Sequence, residues 1–345
     1  VIEQLDETLA RLEPRFPPAL IPAEALARVR SIARALPATP SFSFECRLGE
    51  QQERVDFLTA VSPAWGGEEL ATPGFTATGP LAGPAWERIA AFCTEWTDGS
   101  GLLGRVPFFW LEFDIPGPLA GIPPPFPTVC VQPGFRQGRL IDSSGSTPDE
   151  IRRIAWRSLE LMRGAPLPPV VERSVAACFE RLPPSSCVVH VAPFSARGSD
   201  SVRLVLRIPK RAVPDYLGRI GWMGEPSELE ERVMGLLDYS GMVDVYLDVG
   251  ERVLPPVGMG YTVPDSPGDP RARLLVDRLV EAGLCTPAKR EGLLQWLGRE
   301  HAVLPGARWP SQVLRTASIK LVHRAGQPVE AKGYVEFEAR FTLVE

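Results

Sequence analysis

Histidine and grouped cysteine are scarce in this 345-residue chain, which has three of the former and six of the latter. Cys46, Cys93, Cys130, Cys178, Cys187 and Cys285 include no CxxC pair and have no histidine series beside them. That pattern gives neither zinc-ligand spacing nor a paired redox motif, so reduced and mostly buried thiols are the expectation. His190, His301 and His323 are distant from one another, and of these His190 alone is placed where it could enter a site. There is no GxSxG nucleophile elbow, and neither Gly241-Met242-Val243-Asp244 nor Gly258-Met259-Gly260 forms a dinucleotide fingerprint or a phosphate-binding P-loop. No run of 18 apolar residues occurs, which argues against a transmembrane helix. Val1-Ile2-Glu3-Gln4-Leu5-Asp6 lacks the basic and apolar regions of a secretory signal, and a cytoplasmic location without membrane association is expected. A formal charge of -5 speaks against a strongly basic nucleic-acid surface.

What the chain does have is period-two alternation. Thr316–Val322 and Glu330–Leu343 alternate apolar and polar positions, with Lys320, Lys332 and Tyr334 on the polar side and Gly326 and Pro328 marking the reversal between them. Four further extended pairs precede this hairpin. They are 41–48 with 55–59, 106–115 with 128–132, 187–193 with 201–209, and 242–248 with 258–263. In the third pair Val202, Leu204, Leu206 and Ile208 share one face while Arg203 and Arg207 stand on the other.

Helical sequence fills the intervals. Two helices are expected within 1–37, one over 84–96, then pairs near 149–163 and 169–182, 211–219 and 227–238, and 269–281 and 287–297. Thr147 with Glu150 three residues on reads as a capping box, and residues 61–83 read as an irregular rim segment. The second and fourth pairs echo each other in sequence, Trp110–Ile115 against Val245–Val249.

Five antiparallel pairs separated by helices predict an α+β fold: a ten-stranded antiparallel barrel surrounded by helices, a single domain over 1–345 with N-terminal helices at 1–37. Apolar strand faces would meet the helices and polar faces would line a central chamber. An open sheet covered on one side is the simpler alternative, with its polar face in water.

This order of elements across roughly residues 20–345, together with Ala331-Lys332-Gly333-Tyr334 and Arg203-Leu204-Val205-Leu206-Arg207, resembles the aromatic prenyltransferases of the ABBA type. The resemblance implies a ten-stranded barrel that transfers an isoprenoid group from an allylic diphosphate to an aromatic small molecule or an aromatic residue of a peptide. It implies a diphosphate clamp of Arg203, Arg207, Lys320, Lys332 and Tyr334, with Tyr246 in the same wall; no cofactor is expected from the sequence, with magnesium as the alternative. A carboxylate near the acceptor would orient it or take a proton, and Glu112 and Asp248 are the candidates.

Each residue also has a plainer reading. Lysines and arginines commonly stand on solvated strand faces, and a tyrosine is commonly a packing residue with a satisfied hydroxyl. Glu112, Asp114, Asp244, Asp248, Glu336 and Glu338 share the polar faces, and so many carboxylates oppose diphosphate binding in a dry chamber. They are also the residues that would hold magnesium in an alternative phosphate-handling site, although alternation supplies no metal geometry. The competing function is a nonenzymatic peptide- or protein-binding partner in a biosynthetic pathway, which would capture a cationic partner without turnover.

Overall fold

Most helices of the computed structural model start where proline costs them nothing. The structure describes residues 3–50, 54–72, 75, 81–115, 126–133, 147–195, 198–236, 241–264, 268–305 and 309–340. Within these, the helices are α1 (Leu5–Leu12), α2 (Ala23–Ala33), α3 (Gly67–Ala71), α4 (Pro84–Thr97), α5 (Pro148–Arg163), α6 (Pro169–Glu180), α7 (Val213–Arg219), α8 (Pro226–Arg232), α9 (Pro270–Glu281) and α10 (Pro287–Trp296). From α4 to α10 every one carries proline in its first turn. There the missing N–H would have had no partner and the fixed φ suits the helix. Side-chain caps complete α5, α9 and α10, from Thr147, Asp269 and Thr286 respectively. Thr147 and Glu150 form the capping box expected of them, and Gly164 ends α5 at φ 73°.

The strands are β1 (Ser41–Arg47), β2 (Val55–Val61), β3 (Phe109–Phe113), β4 (Thr128–Val131), β5 (Cys187–Pro193), β6 (Val202–Pro209), β7 (Met242–Val249), β8 (Val253–Thr262), β9 (Gly298–Ala302), β10 (Ser311–His323) and β11 (Glu330–Arg340). Hydrogen bonding runs in the order β11-β1-β2-β3-β4-β5-β6-β7-β8-β10-β9, and β10 also pairs with β11. That last pairing closes ten antiparallel strands into a barrel. β9 stands outside the ring, bonded to the first part of β10 through pairs such as Val313 with Glu300.

Several details depart from the sequence reading, among them the start of β10 at Ser311 instead of Thr316 and that of β3 at Phe109 instead of 106. The 61–83 segment contains α3, although 73–74 and 76–80 lie outside the described residues. β8 begins at Val253, five residues earlier than expected, because residues 250–252 make a tight reversal from β7. The helix expected to reach 238 stops at Arg232, and a short 3-10 turn over Met234–Leu236 follows. β9 was not anticipated: Gly298-Arg299-Glu300-His301-Ala302 has no apolar face to betray it. The expected strand end at Leu343 and the loops over 116–125 and 134–146 lie outside the described residues.

The hydrophobic core lies between the barrel and the helices. Phe42, Phe44 and Phe57 turn outward from β1 and β2 and are fully buried. Phe42 stacks on Phe337 of β11 with ring centroids 5.0 Å apart, and Phe16 packs edge-on to Phe44 at 5.1 Å and stacks on Trp296 of α10 at 5.5 Å. Each such ring contributes about 1.5–3 kcal/mol by leaving water. Trp296 also donates its Nε1–H to the Thr316 and Glu336 carbonyls at 3.0 and 3.1 Å, which pins α10 over the β10–β11 seam. The same alternation that sends these rings outward sends the intervening polar side chains inward.

Candidate active site

The inward faces enclose a cavity of about 270 Å³. Its lining includes Glu112 from β3, His190 from β5, Arg203 and Arg207 from β6, Asp244 and Tyr246 from β7, Lys320 from β10, and Tyr334 and Glu336 from β11. Of the eight residues singled out in the sequence, Glu112, Arg203, Arg207, Tyr246, Lys320 and Tyr334 line this space. Asp248 and Lys332 share the inward strand faces but are not among the lining residues: Asp248 accepts from Arg203, and Lys332 donates to Glu45, which also accepts from Tyr334.

Register explains why opposite charges meet. Arg203 lies across from Asp248 and Arg207 from Asp244 in the β6–β7 ladder. Both pairs are bidentate: Arg203 Nε and Nη2 donate to Asp248 at 2.8 and 3.0 Å, and Arg207 Nε and Nη2 donate to Asp244 at 2.7 and 2.8 Å. Such fork-to-carboxylate bonds fix the guanidinium plane. Burial opposes the Arg203 charge, but Asp248 more than compensates and raises its pKa. Both Asp248 carboxylate oxygens are engaged by the Arg203 guanidinium.

Glu45 is the main residue that the sequence reading missed. It is buried on β1 opposite both Asp56 and Tyr334, accepts from Lys332 Nζ at 2.8 Å and Arg47 Nη1 at 2.7 Å, and also accepts the Tyr334 hydroxyl. Burial alone would raise its pKa, but Lys332, Lys320 and Arg47 outweigh burial and hold it below the usual carboxylate range. The available signal was the period-two set Ser41, Ser43, Glu45 and Arg47, the same alternation that identified Lys332 and Tyr334 on β11.

Lys320 differs from the other chamber cations. It is 4% exposed, and among the described residues its ammonium makes no ion pair or hydrogen bond. Its Nζ lies 4.0 Å from the centroid of the Tyr246 ring, a cation–π contact. Burial, with Arg203 and Lys332 nearby, pushes its pKa down to about 7, against the opposing pull of Glu45 and Glu112. Burial likewise lowers His190 to about 4, leaving a neutral imidazole at neutral pH, and raises both Tyr246 and Tyr334. Glu336 accepts from Thr316 and Ser318 hydroxyls at 3.0 and 2.8 Å, and burial raises its pKa.

The two ends of the barrel are unlike. At one, Arg47 bridges Glu45, Asp56 and Glu330, with its Nη2 and Nε 3.0 and 3.2 Å from the last two, and Arg54 links Asp56 to Asp114. This mesh of charges fills the end where β1 finishes and β2 begins. At the other, an adjoining cavity of about 1020 Å³ is bordered by Trp65, Phe108 and Glu338 and shares Trp110, Arg207 and Thr262 with the inner one. The chamber therefore opens past aromatic side chains. Among the described residues no group of three or more His, Cys, Asp or Glu side chains is arranged to hold a metal ion, and no helix is long and apolar enough to cross a membrane.

No protein-family model and no curated protein matches the chain. Solved structures do. The apo form of the prenyltransferase PriB is 18% identical with a TM-score of 0.51, covering 98% of each chain. The 5-dimethylallyltryptophan synthase from Streptomyces coelicolor is 15% identical with a TM-score of 0.50, covering 97% of this chain and 98% of its own. A ternary complex of PriB with L-tryptophan and dimethylallyl thiolodiphosphate is 16% identical with a TM-score of 0.50, over 98% of both chains. At these identities the likeness is one of architecture, and in architecture this chain is an ABBA-type barrel, the fold of the aromatic prenyltransferases.

Proposed function

We propose that the protein transfers an isoprenoid group from an allylic diphosphate to an aromatic acceptor inside the barrel. The observation that carries this reading is the closed chamber into which Arg203, Arg207, Lys320, Tyr246 and Tyr334 all project. The solved barrels of the same architecture include one bound to L-tryptophan and a dimethylallyl diphosphate analogue, which supports both substrate classes.

The diphosphate sits toward the charge-filled end, against Lys320, Arg203 and the Tyr246 hydroxyl, with Tyr334, whose hydroxyl proton is given to Glu45, lining the space beside it. Asp248 occupies only the Nε and one Nη2 proton of Arg203. Three of the five guanidinium N–H groups therefore remain to meet phosphate oxygens. As the allylic carbon–oxygen bond breaks, its electron pair leaves with the diphosphate, and these donors stabilise the developing charge. Tyrosine faces shield the allylic cation. The acceptor ring enters past Trp110, attacks the allylic carbon through a ring carbon, and gives up its ring proton to Glu112, which restores aromaticity. Lys332 acts through Glu45, the acceptor it shares with Tyr334.

The test is titration of the purified chain with dimethylallyl and geranyl diphosphates, with and without magnesium, followed by a transfer assay against tryptophan, a tryptophan-containing peptide and phenolic acceptors. Folded protein that binds neither diphosphate under either condition defeats the proposal.

A further inference from the structure

β8 crosses the chamber wall with glycine at two successive inward positions. Gly258 lies across from Tyr246, and Gly260 lies between Asp244 of β7 and Lys320 of β10. Neither has a positive φ, so the backbone does not require glycine at either place. Space does. A Cβ on Gly258 would stand 2.8 Å from Lys320 Cε and 3.0 Å from Tyr246 Cβ. One on Gly260 would stand 2.9 Å from Tyr246 Cε2 and 3.3 Å from both its hydroxyl oxygen and Asp244 Cβ. Side chains from the two flanking strands lean across this bare strip and meet above it, with Lys320 Nζ 4.0 Å from the Tyr246 ring centroid.

We infer that Gly258 and Gly260 determine the width of ring the chamber accepts, because the bare strip is where the Tyr246 side chain is stowed against the wall. The two positions differ in what a methyl group would displace. At 258 it meets Tyr246 Cβ, which is tied to the β7 backbone, so the strand itself must move. At 260 its shortest contact is the far part of the ring, which can swing about its side-chain torsions toward the 270 Å³ cavity, and its contact with Asp244 Cβ is the looser one at 3.3 Å. Gly260→Ala therefore narrows the chamber with less displacement of β7 than Gly258→Ala would need. The identity of the ligand as an aromatic ring rests on the transferase reading above, but the size relation does not require that transfer occur.

The experiment measures donor-free binding of phenol and 2-naphthol to the purified full chain by calorimetry. Gly260→Ala is expected to weaken 2-naphthol by about tenfold or more, which is about 1.4 kcal/mol, and to leave phenol within about twofold. Adding Tyr246→Ala to Gly260→Ala is expected to restore 2-naphthol, since no ring is then left to be displaced. Equal losses for both probes, no restoration in a folded double variant, or failure of the unaltered chain to bind either ring overturns the inference. Should Gly260→Ala not fold, Tyr246→Ala alone carries the test: a 2-naphthol to phenol affinity ratio that does not rise overturns it. Absence of diphosphate binding would sink the transferase reading and leave the ring-size comparison standing.

Discussion

Lys320 is set apart from the other cations of the chamber, because Arg203, Arg207 and Lys332 each bond to a carboxylate and Lys320 faces a tyrosine ring. With its pKa pushed down to about 7, chiefly by burial, it is partly an uncharged amine in the free protein at neutral pH. A bound diphosphate favours the ammonium and raises that pKa in the complex, so binding takes up a proton above about pH 7. Diphosphate affinity is then expected to fall by up to about tenfold per unit as pH rises from 7 to 9. Titration calorimetry in buffers of different ionisation enthalpy reads the proton uptake directly. Lys320→Met should weaken binding at pH 7 by roughly ten- to a hundredfold and flatten the profile; a variant with the same slope would assign the dependence to another group.

At the scale of elements, most boundaries were legible because they are written locally. Thr147 and Glu150 specify the start of α5, and each end of that box is satisfied, Glu150 N to Thr147 Oγ1 at 3.2 Å and Thr147 N to Glu150 Oε2 at 3.3 Å. Thr147→Ala should lower stability by about 1 kcal/mol in urea unfolding with an unchanged m-value. The strand pairs were legible for a similar reason, since a period of two needs no partner to be seen. β9 was not legible. Its pairing depends on the edge that the first half of β10 offers outside the barrel, and its own residues are mostly polar. Nor was the role of Gly258-Met259-Gly260, because a missing side chain has meaning only relative to Tyr246 and Lys320 on neighbouring strands.

At the scale of the whole molecule, barrel closure concentrates charge. Arg47, with a side chain only 9% exposed, bridges Glu45, Asp56 and Glu330 at once. Removing one member of a buried ionic cluster leaves it short of a charge, which costs about 3–5 kcal/mol, even though Lys332, Arg54 and Arg324 still meet the three carboxylates. Arg47→Met should therefore destabilise the protein by about that amount in guanidinium unfolding, whereas Arg34→Met, at the exposed end of α2, should stay within about 0.5 kcal/mol. Equal effects of the two would mean that this end of the barrel is not closed by Arg47.

Alternation of side chains, helix caps and first-turn prolines were determined by the sequence alone, since each depends on residues a few positions apart. That Arg203, Lys320 and Tyr334 stand on the polar faces of their strands was legible at that level too, but that those faces enclose one interior depends on the β10–β11 pairing that closes the barrel. Which charges neutralise one another was decided only in three dimensions. Arg203 finds Asp248 45 residues away and Lys332 finds Glu45 287 residues away, and both meetings depend on strand register and on β11 returning beside β1. Long-range pairing of this kind leaves no periodic trace, so a row of cations could be read from the chain but its balance with carboxylates could not.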